Sequence, residues 1–182
     1  FARLAGAHEN ILAIKVDGAT KEDFVWGFRV GFLTFGAKGV TAEQYAALEK
    51  KLAGALRSSI SNSTNLGQHI LLKALQSPTY EEEKRAYRGI LEARYRRVKD
   101  ILATRTTGTP LVALPFNSGY FMTFRCDTIS AESLRKVLLG EKVGTIAIGE
   151  RYLRLAYSAV DLERIDEFMA AVFEAADKLN MS

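Results

Sequence analysis

Lys21 and Arg29 lie eight positions apart in the stretch "DGATKEDFVWGFRVGF", Asp17 to Phe32, with Gly27 and Gly31 on either side of the arginine. An amine can attack a carbonyl or carry a proton, but a free lysine has a pKa of about 10.4 and is almost wholly charged at neutral pH. It becomes reactive when its surroundings disfavour the charge or when it is held as an imine. A guanidinium keeps its charge and presents a fork of donors matched to phosphate oxygens. Glycines at 27 and 31 would let the backbone turn and approach a bound group closely. Taken singly, each residue has a plainer reading: a solvated turn lysine, and an arginine in a surface ion pair. Together, at a junction between two apolar runs, they fit a phosphate-bearing aldehyde better than either does alone.

Arg154 is the third residue of interest. In "YLRLAYS", Leu153, Leu155 and Tyr157 alternate with Tyr152, Arg154, Ala156 and Ser158. A strand would turn the leucines toward a helix and Arg154 the other way, toward a cleft. The plainer reading is a strand arginine paired with a helix carboxylate. Other candidates point to less chemistry. His8 and His69 are far apart in sequence, with no second ligand type beside them, so no metal site is expected. Cys126 is the only cysteine, which rules out a disulfide within the chain. It suggests a packing residue and a reducing, cytoplasmic setting. Lys84, Arg85, Arg88, Arg94, Arg96, Arg97 and Lys99 make one helical stretch basic. No aromatic platform or reader motif accompanies them, so a solvated helix face is expected rather than a nucleic-acid partner. Trp26 either shields the lysine loop or serves as an aromatic at a partner interface.

These residues need elements to hold them. The chain has 182 residues, 48% hydrophobic and 25% charged, with a net charge of +4, which suits one ordinary domain or two small ones. No apolar run approaches the length of a membrane span, so no membrane partner is expected. "ILAIKVD", Ile11 to Asp17, and "VGFLTFG", Val30 to Gly36, read as buried strands. Lys21 then sits just beyond the carboxyl end of the first, where α/β sheets tend to place ligands. Thr41 with Gln44 marks a capped helix carrying Tyr45, Leu48, Leu52 and Leu56. Leu66, Ile70 and Ala74 give the next helix its stripe. A long helix repeats Tyr87, Leu91, Tyr95, Val98 and Leu102 on one face. Then "LVALPF" and "YFMTFRCD" read as strands around the turn "NSG". A short helix runs from a Ser130 cap to a Gly140 stop, and two further strands follow. Asp161 caps a last helix that turns Ile165, Phe168, Met169, Val172 and Phe173 to a core. The expected division is 1–78, a linking helix 79–106, and an α+β domain 107–182.

The lysine followed by "GFRVG" resembles the aminotransferase class I/II family of pyridoxal-phosphate enzymes, fold type I, in which a lysine precedes "GxRxG" with its arginine eight positions on. "RSSISNSTNLGQHILLKAL", "PFNSGYFMTF" and "YLRLAYS" continue the resemblance, from about Ile11 onward. It implies an α/β fold: the last strands of a large-domain sheet plus a small α+β domain. The chain would be the C-terminal portion of a longer enzyme, as its opening on Phe1 also suggests, and would be inactive alone. The resemblance makes Lys21 the Schiff-base lysine for pyridoxal 5'-phosphate and Arg29 the phosphate ligand. Where the family often has a serine three positions before the lysine, this chain has Gly18, and Thr20 could supply a hydroxyl instead. Arg154 would grip the substrate α-carboxylate, and Asn117 and Tyr120 would line the pocket. The implied activity is amino-group exchange between an amino acid and a 2-oxo acid, in a homodimer. Three alternatives stay open: another pyridoxal reaction such as elimination or decarboxylation, a non-catalytic regulatory protein with an aminotransferase-like domain, and a helix-rich interaction module.

Overall fold

The computed structural model describes residues 1–105, 108–117 and 119–181. Thr106, at the expected end of the linking helix, and Ser118, in the expected "NSG" turn, lie outside them. The chain divides into two compact units, Phe1–Glu81 and Glu82–Ser182. The first holds α1 (Ala2–Ala5), β1 (Ala13–Gly18), α2 (Ala19–Glu22), a 3-10 turn (Trp26–Phe28), β2 (Gly31–Gly36), α3 (Ala42–Ser59) and α4 (Asn65–Leu75). Helix α5 (Tyr80–Thr104) starts at the end of the first unit and otherwise belongs to the second. It is followed by β3 (Leu111–Ala113), β4 (Met122–Cys126), α6 (Ala131–Gly140), β5 (Ile146–Ile148), β6 (Tyr152–Leu155) and α7 (Ile165–Asn180). Among the described residues no helix is long and apolar enough to cross a membrane.

In the first unit β1 and β2 pair antiparallel, from Ala13↔Gly36 to Gly18↔Gly31. The aliphatic runs predict buried strands, and here the structure differs: Val16 is 76% exposed, and Ile14, Phe32 and Leu33 are exposed too. Successive side chains of a strand face opposite sides. A ribbon that is apolar on both sides can bury both only if covered twice, and among the described residues β1 and β2 have no further partner strand. Helix α3 carries the expected capping box: Thr41 Oγ1 accepts from the Gln44 amide, and the Gln44 side chain accepts from the Thr41 amide at 2.9 Å. Its stripe is only half-buried, and Leu56 is exposed.

Helix α4 is rotated from the expected phase. Leu66 and Ile70 are exposed, and the buried positions are Gly67 and Leu71. The cause is close packing on the segment before β2. A Cβ at Gly67 would lie 2.8 Å from the Phe28 carbonyl oxygen, so only glycine lets the helix come this near. The Thr64 hydroxyl then caps α4 by accepting from the Gly67 amide at 3.2 Å. Leu71, Ala19 and Val30 form a small core against which Val25 and Phe28 pack.

The second unit is an antiparallel sheet of order β3-β4-β6-β5. Alternation is clear in β4, where Met122, Phe124 and Cys126 are buried and Thr123 and Arg125 are not. The buried side of the sheet meets Val98 of α5, Leu134 and Leu138 of α6, and Ile165, Met169, Val172 and Phe173 of α7. The α5 stripe joins this core from Leu91 on, whereas Tyr87 is exposed. Much of the basic face of α5 is engaged within the unit. Arg96 pairs with Glu92 at 2.6 Å, Arg97 with Asp166, and Arg94 with Asp161 at 3.1 Å, and the Lys99 ammonium lies 5.0 Å from the Phe116 ring centre. Asp161 is thus not a side-chain cap for α7. It precedes a 3-10 turn, Leu162–Arg164, and gives its carboxylate to Arg94, since a charged donor outbids a backbone amide. The stop after α6 falls at Gly140 as expected, and the left-handed residue that follows is Lys142, with φ 65°.

Two outcomes follow from this packing. Gly67→Ala should lower stability in denaturant unfolding by about 1–3 kcal/mol, because the Phe28 backbone would have to move; a variant as stable as the parent would show that α4 does not press on that carbonyl. Burial pushes the Cys126 thiol up to about 11 and the Tyr157 phenol up to about 12. Each proton is held more tightly in the folded state, so the associated stability is complete below the ordinary values of 9.0 and 10.0 and is lost as pH rises through the raised ones. The thermal midpoint should therefore fall between about pH 9 and 12, and Cys126→Ala should remove the earlier part of that fall.

Candidate functional site

The three cofactor candidates occupy residues 19–30, the excursion between β1 and β2. The ribbon closes at the Gly18↔Gly31 pair, so Lys21 leaves from, and Arg29 returns to, the same end of it. Helix α2 starts directly at Gly18 and carries Thr20 and Lys21. The Ala19 amide donates to the Val30 carbonyl at 3.3 Å, which pins the two arms together beyond the last strand pair. Thr20 is half-buried, while Lys21 and Arg29 are exposed.

The turning of this loop is not done by the glycines flanking the arginine. Phe24 and Arg29 themselves adopt the left-handed conformation, with φ 57° and 52°, a region uncommon for residues bearing a Cβ. A Cβ at Gly27 would meet nothing within 4 Å, whereas one at Gly31 would lie 3.3 Å from the Asp17 carbonyl. Gly31 therefore serves close approach of the two strands, and Gly27 has no such role among the described residues. The Arg29 guanidinium makes a long 3.4 Å bond to the Trp26 carbonyl, and Trp26 is itself 63% exposed. The excursion is held by the Ala19–Val30–Leu71 core beneath it and by the Tyr80 hydroxyl, which donates to the Asp23 carboxylate, among other contacts. Asp17 is engaged elsewhere, in a 2.8 Å pair with Lys15 that raises the Lys15 pKa through its hydrogen bond and its charge.

The substrate candidates lie in the second unit. In β6, Leu153 and Leu155 are buried and Tyr152 and Arg154 are not, the alternation expected from sequence. Arg154 pairs in register with Thr123 of β4 and Ile146 of β5, on the side of the sheet away from the helices. Its guanidinium carbon lies 4.7 Å from the Phe121 ring centre. Among the described residues no acidic side chain pairs with it, so the plainer reading of Arg154 as the partner of a helix carboxylate finds no support there. Asn117 is exposed and Tyr120 half-buried, and burial raises the Tyr120 phenol.

Three residues that hold these groups escaped the sequence reading. Tyr157 donates its hydroxyl to the Gly119 carbonyl at 2.6 Å, beside Tyr120. Arg94 donates to the Ser158 carbonyl. Gly67 admits α4 against the chain just before Arg29. The "YLRLAYS" alternation pointed Tyr157 inward but could not name its acceptor. Arg94 looked like one of seven basic residues on a helix. Nothing in the sequence distinguishes it.

No protein-family model matches the chain, and no curated protein does. Solved structures do. An aminotransferase from Anaerococcus prevotii is similar with a TM-score of 0.73 and 22% identity, over 93% of this chain and 40% of that one. The alpha-aminoadipate aminotransferase LysN from Thermus thermophilus, complexed with N-(5'-phosphopyridoxyl)-L-leucine, gives 0.71 and 22%, over 91% and 42%. The Pyrococcus horikoshii kynurenine aminotransferase gives 0.69 and 17%, over 91% and 40%. The chain thus spans about two-fifths of the length of the proteins it matches. Across nearly all of its own length, it has the fold of the corresponding part of the aminotransferases of fold type I.

Proposed function

We propose that this chain is part of a longer pyridoxal-5'-phosphate-dependent aminotransferase that moves an amino group between an amino acid and a 2-oxo acid. The observation that carries the reading is the delivery of Lys21 and Arg29 to one end of a single ribbon within an aminotransferase fold. The donor set suits the cofactor: an amine for an aldehyde, a guanidinium for a phosphate, and the Thr20 hydroxyl as a further phosphate donor. When bound, the cofactor supplies a conjugated ring that takes up the electrons left as a substrate α-proton departs.

The chain's own groups would do the rest. The Lys21 amine would be the base that takes the proton from the substrate α-carbon and the acid that later gives it up. Arg29 holds the phosphate as a fixed charge. Arg154 grips the α-carboxylate through its paired N–H donors and so orients the scissile C–H bond, with Asn117 and Tyr120 beside it. Residues 1–78 would end the large domain, 79–106 would link, and 107–182 would form the small domain. Asp17 is committed to Lys15, so an acid for the pyridine nitrogen would come from the longer polypeptide. Self-association into a homodimer belongs to the same reading.

The test uses the longer protein reconstituted with pyridoxal 5'-phosphate. The parent should turn yellow and exchange amino groups between an amino acid and a 2-oxo acid. Lys21→Ala should lose the parent's protein-linked absorption band and at least about a thousandfold of the exchange rate. Equal colour and equal exchange in both would remove Lys21 from its role. Loss of carbon dioxide or of a β-substituent without exchange would favour a lyase.

A further inference from the structure

We propose that Tyr157 and Arg94 are positioning residues for substrate-carboxylate recognition: they fix the backbone of Gly119–Phe121 so that the Phe121 ring orients the Arg154 guanidinium. The carboxylate role of Arg154 rests on the aminotransferase reading above; the positioning network does not.

Residues 114–117 and 119–121, between β3 and β4, form no regular element, and such backbone needs partners outside the regular ladders. It finds them in the residues just after β6. Tyr157, wholly buried, donates to the Gly119 carbonyl at 2.6 Å, and the Ser158 amide reaches the Tyr120 carbonyl at 3.4 Å. The Tyr157 ring is itself held: Phe116 lies 6.2 Å from it, centre to centre, and meets Tyr95 of α5 edge-on at 5.5 Å. On the far side, Arg94 of α5 clamps the same turn, donating to the Ser158 carbonyl and to Asp161 at 3.1 Å. Its side chain is only 18% exposed.

The consequence falls on Arg154, three residues before Tyr157. A guanidinium 4.7 Å from an aromatic ring centre is attracted to the ring face. A planar carboxylate is then recognised through two N–H donors in one plane, so the tilt of that plane decides affinity. Phe121 sets the tilt, and the hydrogen bonds at Gly119 and Tyr120 set Phe121. This places the main effect of the network at the carboxylate end of the substrate.

The experiment compares Tyr157→Phe and Arg94→Met with the parent, in the longer cofactor-loaded protein, on an α-amino acid and on the amine that lacks its carboxylate. Each variant should raise KM for the amino acid roughly three- to tenfold, with kcat within about twofold and the cofactor absorption unchanged. Turnover of the amine should not alter, and Arg94→Lys should recover part of the loss. Equal losses on both substrates, or a loss confined to kcat, overturn the proposal. Amide hydrogen exchange gives a second readout without turnover. Residues 119–121 should exchange about three- to tenfold faster in Tyr157→Phe, and unchanged exchange also overturns it. A parent with no amino-group exchange sinks the aminotransferase reading and the carboxylate role with it, while amide exchange still decides whether Tyr157 fixes the segment.

Discussion

Closure of the β1–β2 ribbon at Gly18 and Gly31 is the constraint on which the candidate cofactor site depends. Once those two residues are paired, residues 19–30 must leave and return within one strand spacing. The chain answers with a turn of helix, a 3-10 turn and two left-handed residues. Left-handed backbone at Phe24 and Arg29 costs about 1–2 kcal/mol each, and the small core of Ala19, Val30 and Leu71 offsets part of that. The arginine therefore does two things at once. It carries the guanidinium, and its own backbone makes the reversal into β2.

In the second unit the organising role passes to α5. Its apolar side supplies Val98 and Tyr95 to the core, and its basic side is drawn into ion pairs and a ring contact with the same unit. Exposed pairs of this kind contribute little to stability, typically under about 1 kcal/mol each. Arg94 is different, because it is largely buried and braces the turn after β6 through several donors. One of its nitrogens, Nε, is buried without a hydrogen-bond partner among the described residues.

The sequence was most legible where periodicity and core coincide. The strand in "YFMTFRCD", the β6 alternation, the α7 face and the Thr41–Gln44 box all stand as read. Arg154 could be placed on the outward side of its strand because Leu153 and Leu155 set the phase. The misreadings share a physical cause. Leu66 and Ile70 are larger and more apolar than Gly67, yet the helix turns Gly67 inward, because close approach to Phe28 depends on the absence of a side chain. Asp161 sits where a cap belongs, but Arg94, distant in sequence, competes for it. The glycines at 27 and 31 invited a conformational argument that Phe24 and Arg29 satisfy instead. Contacts of this sort depend on which segments meet, and one-dimensional patterns do not record that.

The ribbon that frames Lys21 has a further property. Among the described residues no further strand pairs with either of its rims, and both its faces carry exposed aliphatic or aromatic side chains. It has none of the charged or proline-bearing edges with which stable sheets blunt such rims, save the Lys15–Asp17 pair on one strand. On the reading of the chain as part of a longer enzyme, these rims and faces are where the remaining polypeptide would complete the sheet and cover it.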